Sequence, residues 1–125
     1  MKRPVSTDDA PAAVGAYSQA TATDSLVFTA GQIPMTPDGD LLDHRPIADQ
    51  TEQALDNLAA VLDEAGAGMN DVLKITVYLA DIDDFDAMNE TYATYFDDEP
   101  PARSAVEVGA LPKGVGVEIE AVATT

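Results

Sequence analysis

The chain has 125 residues, 46% of them hydrophobic, and its 23 acidic and 6 basic residues give a formal net charge of −17. This length and apolar content indicate a single domain over residues 1–125 and exclude a disordered chain. The absence of cysteine excludes disulfides, thiolate metal sites and cysteine nucleophiles. Because no apolar run reaches the roughly 18 residues of a membrane span and the N-terminus lacks a secretory signal, we expect a cytoplasmic protein without a membrane partner.

The first third of the chain predicts a β-hairpin and a loop. Residues 14–23 and 25–31 are rich in β-branched and aromatic side chains and are separated by Asp24, which favours two short strands. The stretch from Pro34 to Pro46 contains proline and Asp-Gly turn signals, and it predicts a loop that leads into the first helix.

The middle of the chain predicts a helix, a strand and a second helix. Pro46 starts a stretch with apolar residues three or four positions apart, and Gly66 ends it, which indicates an amphipathic helix. Residues 72–79 alternate between apolar and polar, as in a half-buried strand. Asp83 is predicted to cap the second helix, which the prolines at 100–101 end. Its apolar face carries Phe85, Met88, Tyr92 and Phe96.

The last two strands, 102–108 and 115–123, are predicted to pair as a hairpin across the GALPKG turn. In that register Arg103 and Ala105 lie on the sheet face away from the helices, opposite Glu118 and Glu120. The element order ββαβαββ predicts an α+β fold, a mixed sheet with both helices on one face. The other face carries apolar residues such as Val122 and Tyr78, so it is either solvated or covered by self-association.

Arg103 is the first candidate for chemistry, because a guanidinium on an open sheet face can bind a small anion through two hydrogen bonds. The alternative is an ordinary cross-strand ion pair that contributes less than about 1 kcal/mol. His44 is the only histidine and is expected to be a surface residue, with a general base as the alternative; without a second histidine no metal site is predicted. Tyr17 is interpreted either as a core residue or as a contact to the substrate. Asn89 is interpreted as a residue that caps a loop or faces solvent.

The acidic excess is interpreted as a solvated surface of a halophilic protein. At molar salt the Debye length falls to about 3 Å, which screens the repulsion among carboxylates. A cation-binding or basic-partner module is the alternative, but the acids are scattered and form no calcium-loop spacing. The same charge makes a nucleic acid an unfavourable partner.

Six segments in order, with compatible spacing, resemble the RidA type of the Rid/YjgF family and span nearly the whole chain. They are PAAVGAYSQA (11–20), VFTAGQIP (27–34), QALDNLAAVLDEAG (53–66), PPARSAVEV (100–108), LPKG (111–114) and VEIEAVA (117–123). The resemblance implies a chorismate-mutase-like fold and a homotrimer whose sheets form a central barrel, with ligand clefts between subunits. It also implies a cofactor-free hydrolysis of 2-iminopropanoate or 2-iminobutanoate to a 2-keto acid and ammonia.

The resemblance assigns roles to particular residues of this chain. Arg103 would bind the substrate carboxylate, and Glu118 would orient or deprotonate the attacking water. The remaining substrate-binding positions implied by the family are Tyr17, Gly31, Asn89 and Ala105. Ala105 stands where the family commonly has cysteine, Ala16 where it commonly has proline and Ala30 where it often has serine; activity is expected to survive the first change, and the last one puts substrate range in question.

Two other functions stay open at this level. The same trimer could bind ligands or act as a holdase without turnover, which an imine-hydrolysis assay would distinguish. RNA cleavage is a third possibility, which the charge of −17 disfavours.

The acidic surface leads to a prediction about stability. Lowering KCl from 3 M to below a few hundred millimolar should lower the melting temperature, because the carboxylates repel one another more strongly as screening weakens. Thermal melts across a KCl series measure this effect. A melting temperature that is independent of KCl would contradict the halophilic interpretation.

Overall fold

The computed structural model describes residues 1–96 and 98–125, which form one six-stranded mixed sheet with two α-helices packed on one face. The strands are β1 (Arg3–Val5), β2 (Ala20–Ala22), β3 (Leu26–Thr29), β4 (Val72–Leu79), β5 (Ala102–Glu107) and β6 (Val117–Thr124), and the α-helices are α1 (Ile47–Glu64) and α2 (Phe85–Tyr92). The strand order is β1-β2-β3-β6-β4-β5, with only the β4–β5 pair parallel. The predicted α+β class is confirmed.

The hydrophobic core lies between the sheet and the helices. Leu55, Leu58 and Leu62 of α1 are completely buried. Alternate residues of β4 and β6 point toward them and are at most 3% exposed: Ile75, Val77, Leu79, Val117, Ile119, Ala121 and Ala123. The period of two in these strands therefore fixes which of their side chains face the helices and which face away.

Two buried amides on α1 hold the irregular segments beside the sheet. Asn57 Nδ2 donates to the carbonyl oxygens of Ile33 and Met35 at 3.2 and 2.9 Å. Gln50 Oε1 accepts from the backbone N–H of Gly116 at 2.8 Å, just before β6 begins. Because these hydrogen bonds tie backbone groups of both segments to α1, the amides fix the path of the loop after β3 and the start of β6.

The predicted N-terminal hairpin is present, but it is shorter than expected. β2 and β3 pair antiparallel over residues 20–22 and 27–29, whereas residues 14–19 are not strand. The outer partner of β2 is β1, an edge strand that the sequence did not predict. Gln19 accounts for the difference: its buried side chain bonds to Thr7 and to the carbonyl of Pro11, so the chain before β2 folds back over the sheet edge.

The second helix also differs in detail. A 3-10 turn, Ile82–Asp84, precedes α2. Asp81 rather than Asp83 caps this turn, because its carboxylate accepts from the Asp83 N–H at 2.9 Å, and α2 itself follows Asp84 without a side-chain cap. The helix ends at Tyr92, so Phe96 packs from the following turn. In β4 the predicted alternation starts one residue late: Leu73 is 50% exposed because the register shifts between Val72 and Lys74.

The predicted hairpin between the last two strands is wrong. β6 lies between β3 and β4, while β5 pairs parallel with the other side of β4 and forms the sheet edge. A parallel pair joined through α2 is the ordinary strand–helix–strand unit. Charge explains the strand order. β6 directs only apolar residues toward the helices, so it can lie at the centre of the sheet. β5 directs Arg103 and Glu107 to that side, and these charged side chains avoid burial only if β5 is an edge strand.

The sheet face away from the helices is mixed in character. Tyr78, Glu118 and Glu120 lie on it half-buried, and Phe28 and Val106 are 47% and 43% exposed there. In residues 1–96 and 98–125 no helix is long and apolar enough to cross a membrane.

Candidate active site

Arg103 lies on the helix side of β5, under α2. Its partner across the parallel ladder is the buried Ile75, so it faces the helices and not the open face that the hairpin register predicted. Its Nη1 donates to Asn89 Oδ1 at 2.6 Å. Its Cζ lies 4.6 Å from the ring centroid of Tyr92 and 5.3 Å from that of Phe85. Three residues of one helix therefore hold the guanidinium in place.

This arrangement leaves the guanidinium ready to bind an anion. A guanidinium has five N–H donors, and the bond to Asn89 uses one of them. The rings of Phe85 and Tyr92 attract its charge without consuming a donor. Within residues 1–96 and 98–125 the guanidinium makes no other hydrogen bond, so it presents its remaining donors in a fixed orientation, as bidentate recognition of a carboxylate requires.

A cavity of about 380 Å³ opens beside this cluster. It is lined by Asn89, Tyr92, Ala93, Phe96, Pro100, Pro101 and Arg103. Burial raises the pKa of the Tyr92 hydroxyl, which the neighbouring Arg103 opposes, so the phenol is neutral near pH 7. The hydroxyl is buried and has no hydrogen-bond partner among the described residues.

Glu118 lies on the opposite face of the sheet, beside Tyr78 in the β4–β6 ladder. The backbones of Gln32 and Ile119 exchange two hydrogen bonds of 2.8 and 3.0 Å, which bring Gly31 directly against the Glu118 side chain. A Cβ atom on Gly31 would stand only 2.8 Å from the Glu118 carboxyl carbon. A side chain at position 31 would therefore displace the Glu118 carboxylate, so glycine permits this close approach.

Glu118 and Gly31 belong to the larger cleft of the molecule, with a volume of about 610 Å³. Its walls are Pro11, Ala12, Val14, Tyr17, Gln19, Ala30, Gly31, Gln32, Ile33, Met35, Pro112, Lys113 and Glu118. Tyr17 is 54% exposed at this cleft and is thus a wall residue, not a core residue. Three of the positions implied by the family, Tyr17, Gly31 and Glu118, are brought together here.

The surroundings of Glu118 raise the affinity of its carboxyl for a proton. Partial burial, and secondly the charge of Glu120, raise the pKa of the Glu118 carboxyl above its ordinary value of 4.5. The pKa of the adjacent Tyr78 hydroxyl is also raised, by burial and by Glu120. A carboxyl with a raised pKa holds a proton more readily than an exposed one, which suits a group that takes up a proton and passes it on.

Within one chain the structure separates the two groups that the hairpin register had placed opposite each other. Arg103 and Asn89 are on the helix side at the sheet edge, whereas Glu118 and Glu120 are on the other face. The predicted pairing of Arg103 with these glutamates is therefore wrong, because β4 lies between their strands. Ala105 was also placed on the wrong face: it aligns with Val77 and packs against the core.

Sequence reasoning missed three residues near these clefts. Phe85 and Tyr92 were interpreted only as core. They lie four positions before and three positions after Asn89 on one helix, which puts all three on the side that meets Arg103. Lys113 was interpreted only as part of a turn, and it lines the larger cleft.

His44 is exposed, and its Nδ1 lies 3.6 Å from Oδ1 of Asp43. The described residues contain no cluster of three histidine or acidic side chains that could hold a metal ion.

The raised pKa of Glu118 predicts a gain in stability when its charge is removed. The folded state binds this proton more tightly than the unfolded chain does, so ionised Glu118 destabilises the fold increasingly as the pH rises above about 4.5. Glu118→Gln should therefore raise the melting temperature by about 1–3 °C at pH 7.5, with a smaller gain at pH 5.

Thermal melts at the two pH values measure the difference. Glu64→Gln removes the same charge from an exposed position at the end of α1 and serves as the control. An equal gain at both pH values, or an equal gain in the control, would contradict the prediction.

The chain is similar to known proteins over nearly its whole length. The sequence model of the Endoribonuclease L-PSP family matches residues 7–125. A RutC family protein of Pyrococcus horikoshii is 50% identical over 123 residues, covering 98% of both chains. The 2-iminobutanoate/2-iminopropanoate deaminase of Rattus norvegicus is 48% identical over 123 residues, which are 98% of this chain and 90% of the rat protein.

A solved structure shows the same fold. The crystal structure of E. coli TdcF with bound serine matches with a TM-score of 0.94 at 39% identity, and the match covers 98% of each chain. Sequence and fold thus agree over nearly the full length, and the chain belongs to the Endoribonuclease L-PSP family, the Rid/YjgF family that its motifs resemble.

Proposed function

We propose that this protein hydrolyses 2-iminopropanoate and 2-iminobutanoate to the corresponding 2-keto acids and ammonia, without a cofactor. The observation that carries the proposal is the fixed guanidinium of Arg103, which Asn89, Phe85 and Tyr92 hold with donors free for a carboxylate. The relative from Rattus norvegicus named for this activity supports the choice of substrate.

The chemistry needs only binding, orientation and proton transfer. Arg103 binds the substrate carboxylate through two hydrogen bonds, which fixes the adjacent imine carbon. A water attacks that carbon while Glu118 accepts its proton, and the proton then passes to the nitrogen of the tetrahedral intermediate. Glu118 next takes the proton of the intermediate's hydroxyl group and gives it to the amine nitrogen, so that the C–N bond breaks as the C=O bond forms. Ammonia leaves, and the 2-keto acid remains bound by its carboxylate. One water is consumed, and Glu118 returns to its starting state.

We further propose that each active site lies between two subunits of a homotrimer. Arg103 and Glu118 are on opposite faces of one sheet, so a single chain cannot direct both at one small substrate. A neighbouring copy can supply the second group. The exposed apolar residues on the open face, Phe28 and Val106, support burial of that face in a barrel of sheets.

We also infer a cytoplasmic protein adapted to high salt. None of the aspartates and glutamates in residues 1–96 and 98–125 is buried, so the acidic groups remain available for hydration. The substrate is a small molecule, and a membrane or nucleic-acid partner is not part of the proposal. The family description names an endoribonuclease, but a charge of −17 opposes the approach of RNA phosphates.

The activity is tested by coupling the protein to a threonine dehydratase in molar KCl. Formation of 2-ketobutanoate from threonine should become faster when the protein is added. If 2-ketobutanoate forms no faster than by spontaneous hydrolysis of the imine, the protein is a binding or holdase-like trimer and not this enzyme.

Substitution of Arg103 should abolish turnover. Arg103→Ala is expected to lower kcat/KM about 100-fold or more, because two charged hydrogen bonds to the substrate carboxylate are lost. Arg103→Lys keeps the charge but not the planar pair of donors, and it should lose about tenfold or more. Arg45→Ala, which removes an exposed arginine paired with Asp49, is the control and should behave as the wild type. Unchanged kcat/KM in Arg103→Ala would refute the assignment.

Mixed oligomers test where the site lies. Arg103→Ala and Glu118→Gln subunits, inactive alone, should regain activity when refolded together, because a site between subunits can take Arg103 from one copy and Glu118 from another. In an equal mixture, half of the subunits carry Arg103 and the other half carry Glu118. Random assembly therefore gives both groups at about a quarter of the sites. A mixture of Arg103→Ala with the double variant should stay inactive. No recovery in the first mixture would indicate a site within one chain.

A further inference from the structure

Lys113 adopts a backbone conformation that lysine rarely occupies. Its φ and ψ are 58° and 18°, and Gly114 follows with φ 73°. The Val115 N–H donates to the Pro112 carbonyl at 3.4 Å, so the four residues form a type I′ turn. Asparagine, aspartate or glycine is preferred at the position of Lys113, and lysine is less stable there by about 1 kcal/mol or more. Among the described residues it is the only non-glycine with positive φ.

The turn places Lys113 at the larger cleft, together with Glu118 and Tyr17. No other lysine, arginine or histidine lines this cleft in the part of the chain that the structure describes. Lys113 is exposed and forms no ion pair or hydrogen bond through its side chain with the described residues, although the chain has 23 acidic residues. Its charge is therefore not neutralised by any residue in 1–96 or 98–125.

The charge around the cleft is a problem for an anionic substrate. Glu118 lines the cleft and Glu120 is its neighbour on the same face, while the whole chain carries −17. A 2-imino acid carries a carboxylate, which these groups repel. A positive charge at the rim of a site raises the rate of productive encounter and favours ligands of opposite charge.

We propose that Lys113 is a specificity-determining residue that admits carboxylate-bearing substrates to the Glu118 cleft by offsetting the charge of the glutamates. This inference rests on the proposed function, since it concerns the substrate of that site. Lys113 acts through its charge and exchanges no proton, so it should influence KM more than kcat. The less favourable backbone conformation is retained because it carries this charge to the cleft.

Three variants separate charge from turn geometry. Lys113→Asn removes the charge and suits the turn, Lys113→Arg keeps the charge, and Lys2→Asn removes a charge from the exposed N-terminus, away from the cleft. Each is assayed for imine hydrolysis at 0.5 M and 3 M KCl and for 2-ketobutanoate binding, with thermal melts to verify folding.

We expect Lys113→Asn to raise KM and the Kd for 2-ketobutanoate about two- to fivefold at 0.5 M KCl, with kcat little changed and a smaller effect at 3 M. Lys113→Arg should restore wild-type values, and Lys2→Asn should match the wild type. The melting temperature of Lys113→Asn should be equal or higher, because asparagine suits the turn.

Three outcomes would overturn the inference: wild-type KM and Kd in Lys113→Asn, an equal defect in Lys113→Arg, or an equal defect in Lys2→Asn. If the unmodified protein binds 2-ketobutanoate without hydrolysing imines, the proposed function is wrong and the Kd series alone decides the role of Lys113. If it neither binds nor hydrolyses, both proposals are wrong.

Discussion

β6 runs between β3 and β4, and its strict alternation divides the molecule into two chemically different sides. Val117, Ile119 and the alanines that follow are buried under the helices, so the intervening glutamates must point to the other face. Shifting this strand by one residue would bury two carboxylates in the core, which makes the register unambiguous. In this register Glu118 lies against Gly31. Arg103 lies at the sheet edge on the helix side, so the carboxylate of Glu118 and the guanidinium of Arg103 are separated within one chain.

The cleft beside Arg103 and the cleft beside Glu118 hold their charged groups in different ways. Arg103 is immobilised by one amide and two rings on a single helix face, an arrangement that keeps a flexible side chain ordered at an exposed edge. Glu118 is held half-buried beside Glu120, which is unfavourable for stability but raises the affinity of the carboxyl for a proton. A stable fold and a reactive carboxyl make opposite demands here, as is common where a site needs a perturbed group.

Positive charge is scarce in this chain, and its distribution is informative. Arg45, just before α1, forms an ion pair with Asp49 in the first turn of that helix. Lys74 donates to Ser104 on the neighbouring strand at 2.8 Å. Like Lys74, Arg103 and Lys113 have no acidic partner among the described residues, and these two line clefts. In a chain of net charge −17, cations kept away from carboxylates are available for an anionic ligand.

The sequence by itself determined the local structure: the periodicity of 3.6 in α1, the alternation of 72–79 and the apolar face of the second helix all correspond to observed elements, and the motifs identified the family. Local signals do not encode which strands pair, because β5 and β6 are adjacent in sequence and both alternate. Only the tertiary structure decided that β4 separates them, since burial of an all-apolar face favoured β6 at the centre and a charged one placed β5 at the edge. In this strand order Arg103 and Ala105 lie on the helix side, and Arg103 contacts α2. The sequence could not predict this, because the pairing of distant strands depends on the burial of the whole sheet.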